Sequence, residues 1–233
     1  MKLYYSPGAC SLSPHIVAIE IGMPVELVRV DLETGRTESG EDYRKINPDG
    51  YVPALALADG DVLTEGPAIV QYLADQAEGK ELAPVYGSRA RYRLMQWLNF
   101  ISTELHKTYS SLFDSRVPPD CKALFTERLA QRFAHVAAVL EMQPYLMGEQ
   151  FTIADAYLFT VSSWAPHVGL DEQDLAARGG HDGRHVRRHH RLALRRARRR
   201  DEQRVELAGR RHEKQVRAQR PARLGGRRGR VLM

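Results

Sequence analysis

The chain has 233 residues, with 34 Lys and Arg against 29 Asp and Glu and a mean hydropathy of −0.43. Two cysteines are too few for a disulfide scaffold and favour a reducing compartment. The sequence contains no run of about 18 apolar residues that would span a membrane. Its first residues, MKLYYSPGACS, lack the apolar segment of a signal peptide. We therefore expect a soluble, cytoplasmic protein of one or two domains.

Charge divides the chain into two parts. Residues 1–170 carry 14 Lys and Arg against 21 Asp and Glu, whereas residues 171–233 carry 20 against 8. All 18 aromatic residues precede residue 171. These numbers predict an acidic folded body followed by a basic, Arg-rich tail, residues 171–233, with few side chains that could form a core.

Residues 1–80 alternate between strand and helix patterns. The predicted strands are Lys2–Tyr5, Val25–Leu32, Val52–Ala58 and Val62–Thr64. One predicted helix carries Pro14 in its first turn and stops at Gly22, and a second covers Pro67–Gln76. Between them, Thr34–Gly50 is expected to be a loop with a short helix. This order predicts an α/β domain with a mixed four-stranded sheet, which is the thioredoxin-like arrangement.

Residues 88–170 show only helical patterns and follow a linker at Lys80–Gly87. Apolar residues at helical spacing predict long helices over Ser88–Phe113 and Lys122–Leu140. Thr152 and Asp155 have the spacing of a capping box, which predicts a third helix that runs through Trp164. We therefore expect an all-α second domain.

Cys10 lies at the predicted mouth of the first helix, where backbone N–H groups favour an anion. Lowering the pKa of a thiol from about 8.5 to about 6.5 requires about 2.7 kcal/mol, and a helix end supplies only about 0.3–1 kcal/mol. A reactive Cys10 therefore requires a second donor or cation. The alternative is an ordinary buried thiol.

Two further positions are candidates for ligand binding. Pro53 occupies the cis-proline position of a thioredoxin-like fold, where Val52 would offer its backbone to an extended ligand, although an ordinary trans proline is the alternative. Glu65 and Gly66 precede the second helix. Glu65 could simply cap that helix, or it could bind an ammonium group while free N–H groups bind a carboxylate.

The long helix carries small polar residues on a face of its own. Asn99, Thr103, His106 and Ser110 recur at helical spacing, with Ser102 alongside. This pattern predicts a face that is turned towards a cleft. The alternative interpretation is that His106 is a structural residue whose hydrogen bonds are satisfied within an interface.

With these residues assembled, the first 170 residues resemble a bacterial glutathione S-transferase of the beta class. The matching segments are KLYYSPGACSLSPHI, YVPAL, LTEGPAIVQYLADQ, QWLNFISTELHK and FTIADAYLFTVSSWAPHVGLD. The resemblance implies a cytoplasmic homodimer with a role in detoxification. It also implies conjugation of glutathione to a hydrophobic electrophile, with thiol transfer or peroxide reduction through a Cys10–glutathione mixed disulfide as possible further activities.

The resemblance also assigns residues. It places Cys10 beside the glutathione sulfur, Val52 and the cis Pro53 at the cysteinyl unit, and Glu65 and Gly66 at the γ-glutamyl end. The helical residues that it places in or beside the site, some of them from a second subunit, are Asn99, Thr103, Glu104, His106 and Lys107. His106 and Lys107 are then the candidates for the second stabiliser of a thiolate. No metal is implied.

The chain departs from the family pattern at two places. Family members usually have a glutathione-contacting lysine where this chain has Gly35, so we expect weaker binding unless Arg36 substitutes. After Asp171 the expected amphipathic helices give way to Arg, Gly, Ala and His. We hypothesise a frameshift near residue 171, which would be wrong if no one-base shift of the coding DNA restores an apolar helical pattern.

Two other functions remain open at this point. The chain could bind glutathione or hydrophobic ligands without turnover, or its basic tail could bind nucleic acid or anionic lipid. The tail has no aromatic residue for base stacking, so sequence-specific recognition of nucleic acid is not expected.

Two further features carry weaker signals. The spacing of His181, His185 and His189, with His190 adjacent, could suit a metal, and Cys121 lies at a helix start. A surface thiol is the favoured interpretation of Cys121.

Overall fold

The computed structural model describes residues 1–77, 79 and 81–170. All of them belong to the same structural unit of the chain. The domain boundaries at residues 80 and 88 stay a prediction. Everything predicted for residues 171–233, including the frameshift and the histidine cluster, lies outside the described residues.

The N-terminal domain is built on one mixed sheet. Its strands are β1 (Lys2–Tyr5), β2 (Glu26–Asp31), β3 (Arg36–Thr37), β4 (Ala54–Ala56) and β5 (Val62–Thr64). They lie in the order β3-β2-β1-β4-β5, with β1 parallel to β2 and antiparallel to β4. The mixed sheet is confirmed, but the prediction of four strands is wrong, because β3 adds a two-residue edge strand inside the expected loop.

The two faces of the sheet have different partners, because neighbouring side chains along a strand point to opposite sides. Leu3 and Leu55 face the main core with α1 (Leu12–Ile21) and α2 (Gly66–Asp75). On the other face, Tyr4 joins a smaller cluster around Tyr43, a buried residue of the short 3₁₀ helix Tyr43–Lys45. This second cluster also contains Val52, so the loop before β4 is fixed against the sheet.

The C-terminal part is all-helical, as predicted. The helices are α3 (Arg89–Phe100), a π-helix (Ile101–His106), α4 (Lys107–Phe113), α5 (Pro119–Met142), α6 (Ile153–Ser162) and a 3₁₀ turn (Ala165–Val168). The long predicted helix is therefore interrupted by a π-helical turn. Helix α6 contacts α1, α2 and the π-helix, so it lies between the sheet domain and the long helices.

Local sequence signals account for where α6 begins. The capping box at Thr152 and Asp155 is present. The buried Asp155 carboxylate accepts hydrogen bonds from the Thr152 N–H at 2.8 Å and from the Leu146 N–H at 2.8 Å. Asp155 thus ties the loop before α6 to its first turn, which places the rest of the helix.

An ion pair between a buried arginine and a partly exposed aspartate joins the two domains. The Arg91 guanidinium of α3 donates to both carboxylate oxygens of Asp75 in α2, at 2.7 and 2.8 Å, and to the Pro84 carbonyl at 3.1 Å. It also donates to the Gln71 side chain at 3.3 Å.

No helix in the described part of the chain is long and apolar enough to cross a membrane.

Candidate active site

A cleft of about 390 Å³ lies between the sheet domain and the helical domain. Its walls come from both of them. The sheet side contributes Cys10, Asn47, Asp49, Tyr51, Val52, Pro53, Thr64, Glu65, Gly66 and Pro67. The helical side contributes Ser102, His106, Lys107, Ser110 and Tyr157. Seven of the residues predicted for the site therefore meet in one cavity: Cys10, Val52, Pro53, Glu65, Gly66, His106 and Lys107.

The Cys10 thiol is a protonated donor in this structure. Its Sγ donates to the Val52 carbonyl oxygen at 3.0 Å. Burial raises the pKa of the thiol to about 11, and the nearby Glu65 charge adds to the effect, while backbone N–H groups at Cys10 and Ser11 oppose it. The backbone N–H groups at the helix start do lower the pKa of Cys10, as expected, but the loss of hydration on burial raises it by more.

The loop before β4 is held in place by its own polar side chains. The Val52–Pro53 peptide bond is cis, as the resemblance implied. The Tyr51 carbonyl oxygen accepts hydrogen bonds from the Tyr43 hydroxyl at 2.8 Å and from the Asn47 amide at 2.7 Å. These contacts fix the backbone of Val52 at the cleft wall.

Glu65 has an unusual backbone at the start of α2. Its φ is +65°, and among the described residues it is the one non-glycine residue with a positive φ. Its side chain makes no capping hydrogen bond, so the capping interpretation is wrong. A strained residue of this kind is typical of a functional site. The carboxylate is instead a candidate to bind a cationic group in the cleft.

The start of α2 offers fewer donors than the sequence suggested. Pro67 has no N–H, and the N–H groups of Ala68 and Ile69 both donate to the Glu65 carbonyl at 3.0 Å. The N–H groups of Ala68 and Ile69 are therefore used within the helix, and a ligand carboxylate would have to use a backbone donor ahead of Pro67, such as the N–H of Gly66.

His106 is fixed by two aromatic residues. Its Nδ1 lies 2.6 Å from the Tyr157 hydroxyl, and its ring makes an edge contact with Trp164 at a centroid distance of 4.9 Å. Burial and the neighbouring Lys107 charge lower the pKa of His106 to about 4. His106 is therefore neutral near pH 7, so it could stabilise a thiolate as a hydrogen-bond donor and not as a cation.

Trp164 also links the helical domain to the loop that carries Cys10. Its indole Nε1 donates to the Gly8 carbonyl oxygen at 2.8 Å. The same ring contacts His106, so one side chain bonds to the Cys10 loop and packs against the helical wall of the cleft.

The π-helical turn divides the set of small polar residues that the sequence placed on one face of the long helix. Ser102, His106 and Ser110 line the cleft, but Asn99 and Thr103 are exposed and lie outside its lining. A π-helix bonds residue i to i+5, which shifts the faces before and after it relative to one another. The prediction of one shared face is therefore wrong, although a role of Asn99 and Thr103 towards a second subunit stays a prediction.

Glu104 and the Gly35 region also lie outside the cleft lining. The Glu104 carboxylate accepts from Arg132 at 2.6 Å and from Arg128 at 3.2 Å, and these charges lower its pKa. Arg36 donates to the Gly40 carbonyl at 2.8 Å, so its guanidinium is used within the β3 turn. The predicted substitution of Arg36 for the family lysine is not supported by this contact.

Sequence reasoning missed several residues of the cleft. Tyr157 was hidden in an apolar helix, and its spacing from the histidine gives no local signal. Asn47 and Tyr51 lie in a turn-rich loop that carries no recognisable motif.

Among residues 1–77, 79 and 81–170, no cluster of three or more His, Cys, Asp or Glu has metal-binding geometry, and Cys121 is an exposed free thiol.

Family models match both domains. The model described as glutathione S-transferase, N-terminal domain, matches residues 8–76, and that of the glutathione S-transferase C-terminal domain matches residues 102–180. A curated relative, glutathione S-transferase GstA of Escherichia coli O157:H7, is 47% identical over 175 residues, which cover 75% of this chain and 87% of the relative. The chain thus belongs to the glutathione S-transferase family.

Solved structures give the same result. A ternary complex of BphK, a bacterial glutathione S-transferase, is 52% identical with a TM-score of 0.73, over 83% of this chain and 99% of that chain. The beta-class enzyme of Sphingomonas chungbukensis is 39% identical with a TM-score of 0.72, over 84% and 98% of the two chains. The beta-class resemblance of the sequence is confirmed.

Proposed function

We propose that the cleft binds glutathione and joins it, through its sulfur, to a hydrophobic electrophile, in a cytoplasmic homodimer. The observation that carries this proposal is the meeting of Cys10, Val52, Glu65 and His106 in a single cavity of about 390 Å³. In an extended, zwitterionic tripeptide thiol, Glu65 matches the ammonium, Val52 matches the cysteinyl backbone, and Cys10 and His106 match the sulfur.

The γ-glutamyl end of glutathione carries an ammonium and a carboxylate. Glu65 is the acceptor for the ammonium, and the Gly66 N–H is the donor for the carboxylate. Charge-assisted hydrogen bonds of this type are about twice as strong as neutral ones. The cysteinyl backbone then lies along Val52, which brings the sulfur close to Cys10 and His106.

The reaction requires a thiolate. The glutathione S–H bond gives its proton to solvent, the sulfur lone pair forms a bond to the electrophilic carbon, and the leaving group departs with its electron pair. Lowering the pKa of this thiol from about 8.5 to about 6.5 requires about 2.7 kcal/mol. The groups available for this purpose are the neutral donors Cys10 and His106 and the Lys107 ammonium, all of which line the cleft.

Cys10 acts in this account as a donor to the glutathione sulfur and not as the nucleophile. The cysteinyl N–H of glutathione would replace the thiol at the Val52 carbonyl oxygen, which frees the Cys10 S–H to turn to the sulfur. Disulfide exchange would require a Cys10 thiolate that attacks glutathione disulfide, breaks its S–S bond and releases glutathione thiolate. A thiol whose pKa is raised to about 11 forms little thiolate at neutral pH. The protonated state of Cys10 therefore favours conjugation over thiol transfer.

A Cys10→Ala variant separates the two activities. We expect conjugation of an activated aryl halide to fall by about threefold to tenfold, which corresponds to the loss of one hydrogen bond. Disulfide exchange, if the wild-type protein shows any, should be lost completely. Complete loss of conjugation in Cys10→Ala, with glutathione still bound, would contradict the donor role.

The homodimer is proposed from the family and from exposed residues beside the cleft. Tyr51 lines the cleft and is 76% exposed, and Asn99 and Thr103 are exposed on α3 and the π-helix. A second subunit that covers these residues would complete the rim of the site. Sedimentation equilibrium of the full chain tests this proposal. It would be contradicted by a protein that is monomeric at the concentration of the activity assay and still conjugates glutathione.

The role of Glu65 is tested by an isosteric change. Glu65→Gln keeps the side-chain shape and removes the charge, so we expect a rise of about tenfold or more in the KM for glutathione. Asp59→Asn is the matched control, since it removes one negative charge from the exposed β4–β5 turn, outside the cleft lining. Equal KM values in the two variants would contradict the proposed ammonium contact.

A further inference from the structure

Tyr157 reaches the cleft from the middle of α6, and it is 2% exposed. Its hydroxyl lies 2.6 Å from Nδ1 of His106. Both residues line the cleft. With Ser102 beside them in the lining, tyrosine and histidine thus form a directly bonded polar pair on the helical wall.

The direction of the hydrogen bond in this pair follows from the chemistry of its members. A phenol O–H is a stronger acid than the N–H of a neutral imidazole, so in this contact the phenol donates and the ring nitrogen accepts. The phenol proton then needs an acceptor of its own, because a buried donor without a partner is costly. The ring nitrogen of His106 at 2.6 Å is that acceptor.

The state of His106 decides the consequence. Burial lowers the pKa of His106 to about 4, so its ring carries a single proton near pH 7. A neutral imidazole has one nitrogen that donates and one that accepts. Because Nδ1 accepts from Tyr157, the proton resides on Nε2, at the opposite side of the ring.

We propose that Tyr157 is a positioning residue that fixes the His106 tautomer, so that Nε2–H is the donor available to an anion in the cleft. This rests on the proposed function only in naming the anion, which is the glutathione thiolate. A histidine in the other tautomer would present a lone pair to the sulfur and would repel the thiolate. Tyr157 thereby acts on the sulfur through His106 without touching it.

The tautomer is measured directly by ¹⁵N NMR of the histidine rings near pH 7, without glutathione. The chain has nine histidines, and the His106→Asn spectrum identifies the His106 signals by their absence. We expect the Nε2–H tautomer in the wild-type protein and a mixture of both tautomers in Tyr157→Phe. A wild-type His106 that is protonated on Nδ1 would overturn the proposal, as would a Tyr157→Phe spectrum identical to that of the wild type.

Tyr109→Phe is the matched control. Its hydroxyl is buried and has no hydrogen-bond partner among the described residues, and its ring contacts Trp164 in the same aromatic cluster. The change therefore removes a buried phenol oxygen without breaking a hydrogen bond, and the His106 tautomer should stay unchanged. A Tyr109→Phe spectrum that shifts as much as that of Tyr157→Phe would show that general loosening of the cluster, and not the Tyr157 contact, sets the tautomer.

Kinetics provide the second measurement. We expect kcat/KM for conjugation to fall by about threefold to tenfold in Tyr157→Phe, with the Kd for glutathione nearly unchanged, because only a contact to the thiolate weakens. If Tyr157→Phe does not fold, the wild-type tautomer decides the matter, since a His106 ring protonated on Nδ1 could not accept from Tyr157. A protein with the expected tautomer but no glutathione turnover would refute the proposed function and leave the role of Tyr157 intact.

Discussion

The ion pair between Arg91 and Asp75 should be a main support of the domain arrangement. The Arg91 side chain is 3% exposed, and it donates to Asp75, Gln71 and the Pro84 carbonyl. In an Asp75→Ala variant the buried guanidinium loses both carboxylate bonds. Arg91→Met removes the buried charge and all hydrogen bonds that the guanidinium donates, while it keeps an apolar side chain of similar length.

The cost of breaking this pair follows from burial. Removing one partner of a fully buried pair destabilises a protein by about 3–5 kcal/mol. The Asp75 side chain is 42% exposed, so water can partly replace the carboxylate. We therefore expect Asp75→Ala to lower the free energy of unfolding by about 2 kcal/mol. The double variant Asp75→Ala/Arg91→Met should lose at least about 1 kcal/mol less than the sum of the single variants.

Urea denaturation of the full chain measures these values by linear extrapolation. Glu26→Ala is the control, because its ion pair with Lys2 is open to solvent, with side chains 61% and 52% exposed. That change should cost less than about 0.5 kcal/mol. Strict additivity of the two single changes, or an Asp75→Ala cost equal to that of Glu26→Ala, would refute the reasoning.

Three further predictions concern other parts of the molecule. Because the pKa of His106 falls to about 4 from its ordinary 6.5, the unfolded chain binds a proton that the folded chain does not. Stability should therefore decrease by about 3 kcal/mol as the pH falls from 6.5 towards 4, and the difference between wild-type and His106→Asn denaturation curves isolates this loss. Asp155→Ala leaves the N–H groups of Thr152 and Leu146 without their acceptor, so its free energy of unfolding in urea should fall by about 2–3 kcal/mol. Gly35 has a φ of +67° and open space at its Cβ position, so Gly35→Ala should cost about 1 kcal/mol in the same assay through backbone strain alone.

The elements that the sequence predicted correctly are those with local signals. Pro14, Gly22 and the Thr152 capping box mark helix ends through the conformations and hydrogen bonds of a few neighbouring residues. These features could be predicted because the relevant contacts lie within a few residues along the chain.

The features that the sequence could not supply depend on distant contacts or on backbone detail. The π-helical turn at Ile101–His106 contains no proline or glycine, so nothing in its composition distinguishes it from the α-helix around it. The raised pKa of Cys10 depends on burial beneath residues from other elements. Tyr157 reaches His106 across 51 positions of sequence, and only the packing of α6 against the π-helix brings them together.

Titration of the purified full chain with glutathione, followed by calorimetry, tests the central claim most directly. We predict saturable binding at millimolar or lower concentrations, with one site per chain, that weakens about tenfold or more in Glu65→Gln and stays unchanged in Asp59→Asn. Circular dichroism on the same sample establishes that the protein is folded. A folded protein that shows no heat of binding at millimolar glutathione would contradict the account.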